Sequence, residues 1–151
     1  MGEVTHEQVK LMLQLYEMRR EPRMREARDW YFSKFRPVSL EDVYKQAPMG
    51  SAANASMRMV TSYWEMVASI VNRGLIDEEF FFENSGEQWA VWERIRAYVP
   101  AMRARNKNPH YYGNLETHVN RLEAWREKRA PGSSAAMRQM MGQAKPTSKT
   151  T

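Results

Sequence analysis

The stretch that most restricts what this chain can become runs from Ser51 to Leu75, SAANASMRMVTSYWEMVASIVNRGL. Met57, Val60, Trp64, Val67 and Val71 recur at helical spacing, and Met59, Tyr63, Met66 and Ile70 form an adjoining stripe. Together the stripes exceed the roughly 100° apolar face of an ordinary surface helix. One narrow polar line remains, made of Arg58, Ser62, Glu65, Ser69 and Asn72. A helix this apolar needs neighbours on two or three sides, which predicts the centre of a bundle. Gly74 suits the left-handed residue just past the helix end, with Leu75 folding back on Ile70 in a Schellman stop.

The flanking segments supply the neighbours. Thr5 and Gln8 form a capping box for a helix whose inner face reads Val9, Met12, Leu13 and Tyr16. Pro22 favours the first position of a new helix, so a bend or corner is expected near Glu21. The next helix carries Met24, Ala27, Tyr31 and Phe35 inward, and Ser39 with Asp42 starts a short one through Ala47. Asp77 caps EEFFFEN; Trp89, Trp92, Ile95, Val99 and Met102 then share a face on which Pro100 should kink or restart the helix. Asn108 and Pro109 open the last helix, with Leu115, Val119, Leu122 and Trp125 inward, and Pro131 and Gly132 stop it. No repeat and no strand-like alternation is present. The expected fold is all-α, a compact bundle of about six or seven helices around a central helix at about 51–73. A single helical domain spans 1–130, and 131–151, small, polar and basic, reads as a disordered tail.

The absence of cysteine excludes disulfides, a thiolate zinc site and a cysteine nucleophile. Apolar runs fall far short of the roughly 18 residues a membrane span needs, so no transmembrane segment is expected. The opening MGEVTHEQVK does not resemble a secretory signal, and a cytoplasmic location is the expectation. The net charge of +5 suggests nucleic acid, yet Arg138, Lys145 and Lys149 supply three of those charges. The first 129 residues carry a surplus of only two, too little for an electrostatic footprint without local clustering.

The candidate chemistry is sparse. His6, His110 and His118 show no metal-ligand spacing and read as surface or capping residues. Asp77, Glu78, Glu79, Glu83 and Glu87 are acids where a helix start favours them. Of the adjacent Phe80, Phe81 and Phe82, one must face away from the core; Phe81 is the candidate for a partner surface. Arg94, Arg96, Arg103, Arg105 and Lys107 lie beside Tyr98, Tyr111 and Tyr112, an interleaving used by single-stranded nucleic-acid binders. Those arginines do not share one helix face, however, and the 77–87 acids are available to neutralise them. Trp89 and Trp92 read as core, leaving open whether a small apolar ligand occupies the bundle. With no phosphate loop, nucleophile elbow or triad, no catalytic, cofactor or metal residue is assigned and no cofactor is expected.

The run LQLYEMRREPRMREARDWY, then YWEMVASIVNRGLIDEEF, then W-x-x-W leading to AMRARN, resembles an uncharacterised bacterial helical family, domain of unknown function 4760. The resemblance covers roughly Glu7 to Trp125. It implies a compact helical domain without an established activity and supplies no site residues.

The leading functional expectation is a non-enzymatic protein–protein interaction domain, its surface drawn from Phe81, Arg103, Arg105, Lys107, Tyr111 and Tyr112. The partner is an unidentified protein or, in a homodimer, a second copy of the chain. The alternatives are a nucleic-acid-associated accessory protein using 94–107 and the tail, and a peripheral membrane-associated domain.

Overall fold

Ser51 accepts a hydrogen bond from the Asn54 amide at 3.0 Å and starts a helix that runs unbroken from Ala52 to Asn72. Its end is the expected Schellman stop: Gly74, at φ 78°, donates to the Val71 carbonyl, and Leu75 donates to that of Ile70. The Leu75 side chain nevertheless stays outside, and Ile76 is the residue that enters the core.

The computed structural model describes residues 2–143, in which this helix is the fourth of nine and no strand occurs. In order they are α1 (His6–Arg20), α2 (Pro22–Ser33), α3 (Leu40–Gln46), α4 (Ala52–Asn72), α5 (Glu78–Asn84), α6 (Glu87–Ile95), α7 (Val99–Arg105), α8 (Gly113–Arg129) and α9 (Ser133–Gln143). The broadest packing on α4 comes from α2 and α8, with α5 and α6 closing further sides. Trp64, Val60, Val67, Ala68 and Val71 are thereby sealed. Among the described residues no helix is long and apolar enough to cross a membrane.

The bend at Glu21 resolves as a one-residue corner. Glu21 (φ −56°, ψ 140°) ends α1 and begins α2, and its carboxylate accepts from the Met24 amide at 3.1 Å. Met24, Ala27, Tyr31 and Phe35 all face inward as expected. Pro100 lies in the first turn of α7, where its missing N–H costs no helical bond, so it restarts the helix after a break at Arg96–Tyr98.

Four expectations need correction. The covered side of α1 runs through Val9, Leu11, Met12, Leu15 and Arg19, of which Leu15 alone is fully buried; Leu13 and Tyr16, expected on that side, are about half exposed. This helix lies at the bundle edge, so only a narrow strip of it is covered. On α4 the outer face also includes Met59 and Met66. The last long helix begins at Gly113, not at Asn108. Finally, 133–143 is not a disordered tail but a helix: Ser134 is buried, Met137 and Met141 pack against the core, and Arg138 bridges Glu93 at 3.1 Å and Glu123 at 2.7 Å. Alternation of Met with Arg and Gln conceals that docking strip in the sequence. The remainder of the expected tail, 144–151, lies outside the described residues.

Because α9 covers apolar surface and is held by two ion pairs, ending the chain at Ala130 should lower stability by about 1–3 kcal/mol in urea unfolding. An unchanged midpoint would mean that α9 adds nothing to the folded domain.

Candidate functional site

The first turn of α8 has no capping residue of its own. Tyr112, in the N-cap position, has φ 57° and makes no side-chain cap. Glu65 supplies the cap from across the bundle: one oxygen accepts from the backbone and side-chain nitrogens of Asn114, each at 3.1 Å, and the other from the Leu115 amide at 2.8 Å. A carboxylate there satisfies orphan amides and meets the positive end of the helix dipole. Asn72 adds a bond to the Asn114 carbonyl at 3.0 Å. Two members of the polar line of α4 therefore hold α8 and the loop that precedes it.

That loop, residues 106–112, contains two non-glycine residues in left-handed conformation, Lys107 (φ 51°) and Tyr112. It is tied down at several points. The Tyr112 hydroxyl donates to Thr61 Oγ1 at 2.9 Å, and burial pushes its pKa up. Tyr111 lies edge-on against Tyr112, with ring centroids 4.5 Å apart. Arg103 donates to the Tyr111 carbonyl at 2.8 Å and to Glu116 at 3.2 Å. Between this loop and the outer face of α4 runs an open groove of about 880 Å³, whose lining includes Arg58, Met59, Met66, His110 and Tyr111.

The structure brings Arg103, Tyr111 and Tyr112 together at one edge of this groove. Arg105 is exposed with its guanidinium 4.8 Å from the Tyr44 ring centre, and Lys107 is exposed on the loop. Phe81 does not belong to this surface. On the two-turn α5, Phe81 and Phe82 both turn into the core and Phe80 is left half-buried, so Phe81 was the wrong member of the trio. Nor does the 77–87 acidic run neutralise the basic segment. Arg94 donates to the carbonyls of Phe32 (2.8 Å) and Phe35 (2.9 Å), completing the end of α2, while Arg96 pairs with Glu93. Glu78 pairs with Arg121 and Glu87 with Arg28.

Sequence reasoning missed His118, which is fully buried rather than a surface or capping residue. The signal was present, because Leu115, His118, Val119 and Leu122 share one helical stripe. Its Nε2 lies 3.2 Å from Gln88 Nε2, and the ring contacts Phe81 and Phe82. The Gln88 amide nitrogen can only donate, which assigns the imidazole proton to Nδ1. Burial, aided by Arg121, pushes the imidazole down to about 4 from 6.5. Among the described residues no three histidine or carboxylate side chains converge as a metal-holding group.

Between pH 6.5 and about 4 the unfolded chain binds a proton that folded His118 refuses. Its contribution should be fully present above pH 6.5 and lost as pH falls toward 4, by on the order of 3 kcal/mol. Guanidinium melts of wild type and His118→Leu across that range check this, since the variant should lack that part of the acid slope.

Comparison with known proteins places these features. Residues 4–122 match the family model described as Domain of unknown function (DUF4760). No curated protein and no solved structure matches the chain. The match takes in α1 through α7 and the part of α8 carrying Leu115, His118 and Leu122, and stops before α9. The protein belongs to the DUF4760 family.

Proposed function

We propose that this domain is a non-enzymatic, cytoplasmic interaction module that takes an acidic amphipathic segment of a partner protein into the groove between α4 and the 106–112 loop. The observation that carries the reading is the pair Met59 and Met66, two helical turns apart on the most buried helix, yet 37% and 40% exposed beside Tyr111. Methionine adapts to varied partner shapes, and apolar residues seven apart match the anchor spacing of a helix laid in a groove. Arg58 lines the groove, and Lys107 adds an exposed positive charge on the loop that forms its other side. The carboxylate in the lining, Glu65, is already engaged by the amides of α8.

The way the acids are used supports a binding role over a catalytic one. Glu21, Asp77, Glu65 and Glu127 each hold amides at or near helix starts, and Glu87 is bound by Arg28 and Trp64. Nucleic-acid association draws less support, because Arg94 and Arg103 are committed to carbonyls and to Glu116.

A photo-crosslinking residue placed at Met66 in the native cells should yield a discrete protein adduct, lost with Met59→Asp, whereas the same reporter at Lys10 on α1 should yield none. Both methionines are exposed, so thermal melts should show these variants folded. No adduct at Met66, or one indifferent to Met59→Asp, would overturn the proposal. Retention of RNA or DNA that falls steeply with salt would favour the nucleic-acid reading. Binding that requires anionic vesicles would favour the membrane one.

A further inference from the structure

A second cleft, separate from that groove, opens between α1, α4 and α5. Its walls include Met12, Leu15, Tyr63, Trp64 and Phe81, and it encloses about 220 Å³. An apolar cavity of about 150 Å³ admits benzene, so this one holds roughly nine non-hydrogen atoms. Most of the wall is apolar and aromatic, with Arg19 as its charged member.

The Arg19 guanidinium lies over the Tyr16 ring, 4.9 Å from its centre, but makes no close ion pair inside the protein. Its Nε is buried without a hydrogen-bond partner, and its nearest carboxylate oxygen, on Glu87, is 4.0 Å away. Glu87 has no capacity to spare. One of its oxygens accepts from Arg28 Nε at 2.9 Å and Nη2 at 2.5 Å, the other from Arg28 Nε at 3.1 Å and Trp64 Nε1 at 3.1 Å. Two guanidinium groups thus face one carboxylate, leaving one positive charge beside an apolar cleft. The other polar lining residues do not compete for it. Asn84 donates to the Phe80 carbonyl, Ser85 to Gln88, and the Tyr63 hydroxyl to the Leu15 carbonyl. At the mouth, Leu13 and Tyr16 remain about half exposed, apolar side chains that no other element covers.

We propose that this cleft binds a small monocarboxylate with an apolar or aromatic body. The carboxylate accepts from the terminal guanidinium nitrogens of the partly exposed Arg19, and the body lies against Trp64, Tyr63 and Phe81. The single surplus charge selects a monoanion, since the walls offer no second cation for a dicarboxylate. The volume selects a body of benzyl or pentyl size.

The full-length protein, labelled with ¹⁵N, is titrated with phenylacetate and hexanoate and, in parallel, with their amides. The acids should produce saturable amide shifts at Leu15, Arg19, Trp64 and Phe81. The amides should bind at least about tenfold more weakly, the difference expected of a charge-assisted hydrogen bond. Arg19→Gln should abolish the preference for acid over amide, and Met12→Trp, which fills the cleft, should abolish binding of both. If Arg19→Gln does not fold, the acid–amide comparison on wild type decides alone. No saturable shift with either acid, equal binding of acid and amide, or shifts centred on Met59 and Tyr111 would overturn the proposal.

Discussion

Glu87 draws four helices to one point. It stands in the first turn of α6 and receives the Arg28 fork from α2, the Trp64 indole N–H from α4 and the weaker approach of Arg19 from α1. A half-buried carboxylate is tolerable only when its lone pairs are filled, and the bidentate guanidinium with the indole fills them. The benefit runs the other way too. Trp64 is 2% exposed, and a buried indole without an acceptor would forfeit much of what its apolar surface contributes. The largest side chain of the central helix is therefore compatible with the core because α6 begins where it does.

Carboxylates recur as the means by which one helix begins another. Glu21 and Asp77 cap the helices they immediately precede. Glu65 acts across the bundle on α8, and Glu127 accepts from the amides of Gly132 and Ser134 at 2.9 Å each, next to the start of α9. Those amides hold the Glu127 carboxyl below the usual carboxylate range. The starts of α8 and α9 thus depend on residues outside their own first turns. Where each begins is a consequence of packing as well as of local preference.

The groove and the cleft both arise because α4 is only partly covered. Its side toward α2, α6 and α8 is sealed; the side toward the 106–112 loop is held by Glu65 and Asn72 through the start of α8, which leaves Met59 and Met66 outside. Near α1, the narrow contact strip of an edge helix leaves space in front of Tyr63 and Trp64. One helix therefore contributes walls to both an open groove and a smaller, half-open cleft, each with a different recognition chemistry.

The sequence by itself determined most of the helices, α9 and the start of α8 excepted, because the signals for them are local. Wide apolar stripes, the caps Thr5, Ser39, Ser51 and Asp77, the Gly74 stop and the Pro22 and Pro100 starts act within a few residues of where they stand. The long central helix and its role as the core followed from those signals, and so did the inward face of α2. What only the tertiary structure decided is which apolar residues find cover and which polar ones find partners. Leu13, Tyr16, Met59 and Met66 look as buriable as their neighbours, but their faces meet no helix. Phe81 and His118 are buried because α5 and α8 meet there, and Glu65 and Glu87 find their uses across 50 and 59 residues of chain. Periodicity reports how wide an apolar face is; it does not report how much of that face another element reaches, and both proposed sites lie in that difference.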